Sequence, residues 1–374
     1  MASLNNTTPL SFLKRPRVQV LTAGTVVPGL VHATMTSTNN FQCDTFELEF
    51  ALWDDPKFGP SFFDVDQLDV DIQVSIAVGN QKDNFRSILL GTTDRINIRW
   101  FQGVATLTGR DKTSLFLDAK TNQTFQNLTS SQVIEQLILG HPGISGEIDV
   151  TTTKVGAYYA HSQTQNATGE FTKASTEWQL ITFLAQQEGF DVWVKGNTLH
   201  FKQQILQDPT PWTINLAKPH HKPYEAVHLA NVIKDIDLER NLSVAKDVKV
   251  ILQSWNSNSG KVMTGQFGSA SKTAQVFTRQ APPNMTQDAL TKRANSLALE
   301  ISKNERVISW REPAADDRFT PRNMVQIVNS GTSFDQMYYI QKITRTYSRD
   351  GGLEMDVSAK NHSVQSDSTE SSVK

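Results

Sequence analysis

The chain has 374 residues, with 36 Lys and Arg set against 38 Asp and Glu for a formal net charge of −2, and one cysteine, Cys43. That length suffices for about two or three domains with cores of their own, and the near-neutral balance supplies no field to gather nucleic acid or an acidic membrane surface. A lone cysteine excludes an intrachain disulfide scaffold and fits a reducing cytoplasm; residues 1–10 lack the basic-then-apolar order of a secretory signal, and no stretch is long and apolar enough to span a bilayer as a helix.

From Arg17 to Asp111 apolar and polar residues alternate, as in Phe46-Glu47-Leu48-Glu49-Phe50 and Val70-Asp71-Ile72-Gln73-Val74. A period of two predicts antiparallel strands with one dry face. Asp54-Asp55-Pro56-Lys57-Phe58-Gly59-Pro60 interrupts them with turn chemistry, and Gly79 to Asn84 marks a hairpin end before Ile88. After Asp111 the period becomes helical. Thr129 or Ser130 caps a helix with apolar Val133, Ile134, Leu137 and Ile138, stopped at Gly140-His141-Pro142-Gly143. Ser175 or Thr176 caps a second one, which Gly189 ends, and Phe190 to Phe201 then reads as a tight hairpin around Gly196-Asn197. Pro209, Pro211, Pro219 and Pro223 mark a boundary. Strands resume at 227–238 and 248–252. A third helix is predicted from about Thr286 to Arg306 with Leu290, Ala294, Leu297, Ala298 and Ile301 as its apolar stripe, and 307–361 is strand-rich again. Residues 363–374 are polar and predicted to be a disordered tail.

Two closing segments share one pattern. Leu107-Thr108-Gly109-Arg110-Asp111 recurs in kind as Val357-Ser358-Ala359-Lys360-Asn361, and Arg95 and Arg99 precede the first as Arg345 and Arg349 precede the second at the same offset. Such self-similarity predicts a duplicated structural unit.

No residue set carries chemistry as clearly. His220, His221 and His228 lack the further ligands a metal centre needs. The acid pairs Asp54-Asp55, Asp64 with Asp66, and Asp316-Asp317 lie in turn-rich segments, where carboxylates serve as caps and solvated turn residues. There is no nucleophile elbow and no phosphate-cradling glycine loop. No enzyme activity, cofactor, catalytic residue or metal site is expected.

The run Gly103 to Asp111 resembles the end of the first barrel in baseplate hub proteins of contractile phage tails, the late-control D type, which are related to the hub part of type six secretion spikes. Ser175 to Ala185 with Glu188-Gly189-Phe190 and Leu199-His200-Phe201, Val250 to Trp255 with Gly260-Lys261-Val262, the helix around Asp288 to Glu300, and Tyr338-Tyr339-Ile340, Ile343 and Gly351-Gly352-Leu353 are similar to later parts of that family in the same order. The resemblance implies a mainly β fold with α+β character: two related antiparallel β-barrel tube domains plus an inserted α/β domain. On this reading residues 1–111 form the first barrel, 112–206 the α/β domain completed by 251–306, and 207–250 with 307–362 the second barrel.

It also implies a homotrimer. Two barrels in each of three chains make a pseudo-sixfold ring that adapts a hexameric tail tube to a trimeric spike around the DNA channel. The expected partners are the tail tube protein, a separate central spike protein and other baseplate proteins, with no specific nucleic-acid binding and no membrane insertion. The expected place is the virion tail baseplate, after synthesis in the host bacterial cytoplasm. Arg95, Arg99, Arg110, Arg345, Arg349 and Lys360 are the candidate assembly contacts. Two other classes stay open: a carbohydrate-binding or adhesin-like β protein using Trp53, Trp100, Trp193, Trp212 and Trp255, and a peptidoglycan-cleaving tail enzyme.

Overall fold

The period-two segments fold as strands. β1 (Lys14–Thr22), β2 (Thr25–Val27), β3 (Leu30–Thr38), β4 (Thr45–Ala51), β5 (Asp69–Val78), β6 (Arg86–Arg99) and β7 (Val104–Asp111) are antiparallel neighbours in the order β2-β1-β5-β6-β7-β4-β3. Phe46, Leu48, Phe50, Val70, Ile72, Val74 and Leu107 are all buried, as alternation demands of a sheet with one face on a core. Pro60 opens a short helix, α1 (Pro60–Phe63), within the expected break. The computed structural model describes residues 14–361 apart from 40, 54–55, 79–80, 153, 160–161, 167–174, 205–209, 217–232, 234, 243–247, 258, 270–273, 303–304 and 314–316.

From Thr113 the chain builds a second compact unit, Thr113–Leu206 with Arg240–Glu305. It begins with α2 (Thr113–Asp118), β8 (Lys120–Thr121), β9 (Thr124–Gln126), α3 (Ser130–Leu139), β10 (Ser145–Ile148), β11 (Ala157–Tyr159), β12 (Ser162–Asn166) and β13 (Ser175–Thr176). Next come α4 (Glu177–Glu188), β14 (Phe190–Lys195) and β15 (Thr198–Gln203). Thr129 caps α3 and Thr176 caps α4, each in a reciprocal capping box with the Gln three residues on. Gly189 ends α4 at φ 73°, a left-handed conformation that glycine adopts without a Cβ clash. β14 and β15 pair from Phe190↔Gln203 to Lys195↔Thr198 around Gly196-Asn197, as the hairpin signal predicts.

β16 (Trp212–Asn215) and β17 (Asp235–Arg240) belong to the large sheet. β18 (Val248–Asn256), β19 (Lys261–Gly268) and β20 (Gln275–Gln280) then form a separate three-stranded sheet in the second unit. α5 (Gln287–Ser302) covers that sheet, with Leu290, Ala294 and Ala298 packed on Val250 and Leu252. Val248, Lys249 and Val250 were expected to close the second-barrel segment. They instead start β18, because their buried positions face α5. α5 also ends before Arg306, which begins the next strand.

β21 (Arg306–Pro313), β22 (Met324–Val328), β23 (Met337–Ser348) and β24 (Gly352–Asn361) complete the large sheet. The first unit, residues up to Lys112 with Gln207–Glu239 and Arg306–His362, is therefore one thirteen-stranded sheet in which β23 pairs with β3 and joins an early set of strands to a late one. Mainly β architecture with large antiparallel sheets and a separate α/β unit is what the sequence predicts. Among the described residues the path runs from β17 to β2 without closing into a barrel, and residues 363–374 lie outside the described residues.

Candidate assembly surface

The expected duplication is present in the strand registers. The early set runs β3-β4-β7-β6-β5 and the late set β17-β21-β24-β23-β22, five strands in the same neighbour order. Phe46↔Gly109 and Leu48↔Leu107 correspond to Ile308↔Ala359 and Trp310↔Val357. Within the paired pentads, 107, 109 and 111 are buried and 108 and 110 half-buried, and 357 to 361 repeat that order position by position. Each set also has one bulge beside its pentad, between Thr93 and Arg95 opposite Gly109 and Thr108, and between Ile340 and Lys342 opposite Ala359 and Ser358. A bulge re-aims a strand at a fixed point, so its repetition is independent of any side-chain likeness.

These registers correct the arginine alignment. Lys342 stands where Arg95 does and Thr346 where Arg99 does, so Arg345 corresponds to Ile98. Arg99 pairs with Val104 whereas Thr346 pairs with Glu354, which leaves three more residues between the arms of the later hairpin. A common offset in sequence could not register that insertion.

The candidate contacts separate accordingly. Arg95, Arg99 and Arg349 are exposed, the first two on β6 and the third just past β23. Arg110 is committed to Asp94 through a forked pair, Nε to Oδ2 at 2.7 Å and Nη2 to Oδ1 at 2.8 Å. Lys360 is half-buried on β24 between Val307 and Tyr339. Arg345 is only 2 % exposed and donates from Nη2 to the Phe319 carbonyl. It serves the core, near an Asp44 carboxyl that burial pushes above the usual range, and presents no guanidinium to a partner.

The strand expected over 227–238 includes most of β17, whose acids the sequence did not single out. Its period-two pattern, Asp235-Ile236-Asp237-Leu238-Glu239, puts Ile236 and Leu238 against the core and all three acids in solvent. The outer face beside it holds a groove of about 550 Å³ that sets Asp235, Asp237, Arg311, Lys342 and Asp356 around Trp310 and Val357. Arg311 Nε donates to Asp356 Oδ1 at 2.7 Å, and that bond holds the guanidinium pKa above its ordinary value. Arg311 and Asp356 so paired offset each other's charge.

The tryptophans offered as sugar platforms divide as well: Trp212 is buried, but Trp53, Trp100 and Trp255 are 61, 58 and 53 % exposed. Trp53 and Trp100 meet edge to face, centroids 5.8 Å apart, and the adjacent Phe101 is fully exposed. His220, His221 and His228 fall outside the described residues, as do Asp54, Asp55 and Asp316. Asp64 and Asp66 are solvated, and Asp317 pairs with Arg86 at 3.1 Å. Among the described residues no group of three His, Cys, Asp or Glu is placed to hold a metal ion.

No protein-family model matches the chain, and no curated protein matches it in sequence. Solved structures do match. The tail protein from Neisseria meningitidis MC58 superposes with a TM-score of 0.66 at 13 % identity over 92 % of this chain and 96 % of its own. The chain has the fold of a phage tail protein. The 43 kDa tail protein of prophage MuSo2 from Shewanella oneidensis gives 0.65 at 13 % identity, over 92 % of this chain and 98 % of that one. The Escherichia coli c3393 protein, a component of the type VI secretion system, gives 0.55 at 10 % identity, over 93 % and 78 %. This tail-protein fold spans nearly the whole chain at 10–13 % identity.

Proposed function

We propose that this chain is a structural component of a phage tail and, more specifically, the hub of its baseplate. The observation that carries the reading is the duplicated five-strand core with its repeated bulge, supported by superposition on tail proteins along nearly their full length. Three copies, each with two tube domains, make a pseudo-sixfold ring. A ring of that kind mates with a hexameric tail tube on one side and a trimeric central spike on the other, with the DNA channel through its middle. The two tube domains are the early and late strand sets, and Thr113–Leu206 with Arg240–Glu305 is the inserted domain. The chain acts by assembly rather than catalysis, and its place is the baseplate of the virion tail.

Light scattering on the purified chain is expected to give the mass of a trimer, and electron microscopy a ring with a central channel. A stable monomer at micromolar concentration overturns the reading. Exposed Trp53 and Trp100 are what favours sugar binding, but their edge-to-face contact turns one ring onto the other and leaves no shared flat platform.

A further inference from the structure

We propose that the open face of the β18-β19-β20 sheet binds a neutral oligosaccharide, with Trp255 as the ring on which a sugar stacks. The inference stands apart from the hub reading, since this sheet lies wholly in the second compact unit.

The face follows from register. β18 turns Val250 and Leu252 under α5, and their cross-strand partners Phe267, Gly265 and Phe277 share that side. Side chains alternate along a strand, so the positions between these make up the other face. Gln253 stands there between Thr264 and Gln280, Ile251 between Gln266 and Thr278, and Trp255 closes the row. All are exposed except Ile251, which is half-buried, so no element of the chain lies over them. Trp53 and Trp100 meet edge to face, whereas among the described residues Trp255 makes no ring contact. Its backbone is pinned from beneath. Ser254 Oγ donates to the Pro282 carbonyl at 2.6 Å, the Trp255 carbonyl accepts from the Asn284 N–H at 2.7 Å, and Asn284 Oδ1 accepts from the Ser257 N–H at 2.8 Å. A ring held in this way loses little freedom when a ligand settles on it.

Composition selects the ligand class. The outer face of the large sheet carries paired charges, such as Arg110 with Asp94 and Arg311 with Asp356. Here the one charged side chain at an outward position is Lys249, at the end of β18 away from Trp255. The three glutamines and two threonines of the face are polar without charge, and among the described residues none of their side chains is committed to a hydrogen bond. An amide donates and accepts, as a sugar hydroxyl does, and a pyranose ring presents C–H groups that pack on an indole face. A phosphate or carboxylate ligand finds no partner except Lys249. Size argues against a protein partner. Three strands about 4.8 Å apart, followed from Lys249 to Trp255 at about 3.3 Å per residue, outline roughly 200 Å², against the roughly 800 Å² that each side of a stable protein interface buries.

The test titrates the full chain with cellotetraose, maltotetraose and tetraacetylchitotetraose, followed by calorimetry and saturation-transfer NMR, with tetragalacturonic acid as the charged control. At least one neutral sugar is expected to bind in the micromolar to millimolar range, with its ring C–H protons saturated from the protein, and the acid is expected not to bind. Trp255→Ala is expected to weaken that binding at least about tenfold, and Gln253→Ala with Gln280→Ala by about three- to tenfold, with circular dichroism unchanged. Trp53→Ala, which removes an exposed ring elsewhere, is expected to leave it as it was. The proposal is overturned if no neutral sugar binds, if binding survives both the Trp255 and the glutamine variants, or if the acid binds equally well. Light scattering is expected to give Trp255→Ala the same mass as the wild-type chain. A variant that loses subunits makes this face a protein contact and overturns the sugar reading, whereas a monomeric wild type overturns the hub reading alone.

Discussion

Gly109 shows how far one residue can be fixed by its neighbours. A Cβ there would lie 2.3 Å from the Thr92 carbonyl oxygen and 2.4 Å from Phe46 Cζ, whereas Ala359 at the matching place sits between Ile308 and Ile340. Gly109→Ala is expected to cost about 1–3 kcal/mol, the usual penalty of overpacking, seen as a lower urea midpoint; adding Phe46→Leu is expected to recover part of it. In the second unit, burial holds the His200 pKa below its ordinary value, with Glu147 Oε2 3.3 Å from Nδ1 pulling the other way. The ring stacks on Trp193 at a centroid distance of 4.8 Å. The folded state resists the proton, so stability present above about pH 6.5 is lost as pH falls through that value and below. His200→Phe keeps the stack and is expected to flatten this slope, which melting temperatures measured between about pH 7.5 and 5 will show.

At the scale of elements, local signals and pairing signals were legible to different degrees. Thr176 accepts from the Gln179 backbone N–H at 3.2 Å, and Gln179 closes the box on the Thr176 N–H at 3.1 Å. Thr176→Ala is expected to lower stability by about 1 kcal/mol in thermal unfolding. Caps, helix stops and alternation could be read directly because the residues that produce them lie within a few positions of each other. β18 could not be assigned to its sheet in that way. Its partners β19 and β20 and its cover α5 all come later, and nothing in Val248 to Leu252 distinguishes one sheet from another. Arg345 shows the same limit, since the longer hairpin shifted it from an outward position to an inward one. Of the candidate surface, Arg95 and Arg99 were legible as exposed charges, whereas the commitment of Arg110 to Asp94 followed only from the pairing of β6 with β7.

For the whole molecule, the proposed trimer has a concentration signature: its mass by sedimentation is expected to fall towards that of one chain only on dilution below the micromolar range. The two strand sets also differ in their outermost members: β1 runs antiparallel to β5, but β16 runs parallel to β22, from Trp212↔Val325 to Asn215↔Val328. That difference imposes an order of events during synthesis. β1 has every partner in the chain once Val78 has emerged, whereas β16 waits for Val328. At about 5–20 residues per second the stretch from Asn215 to Val328 takes roughly six to twenty-three seconds. Through that interval the nascent chain holds a finished half-sheet and a tryptophan-bearing strand with nothing yet to lie against.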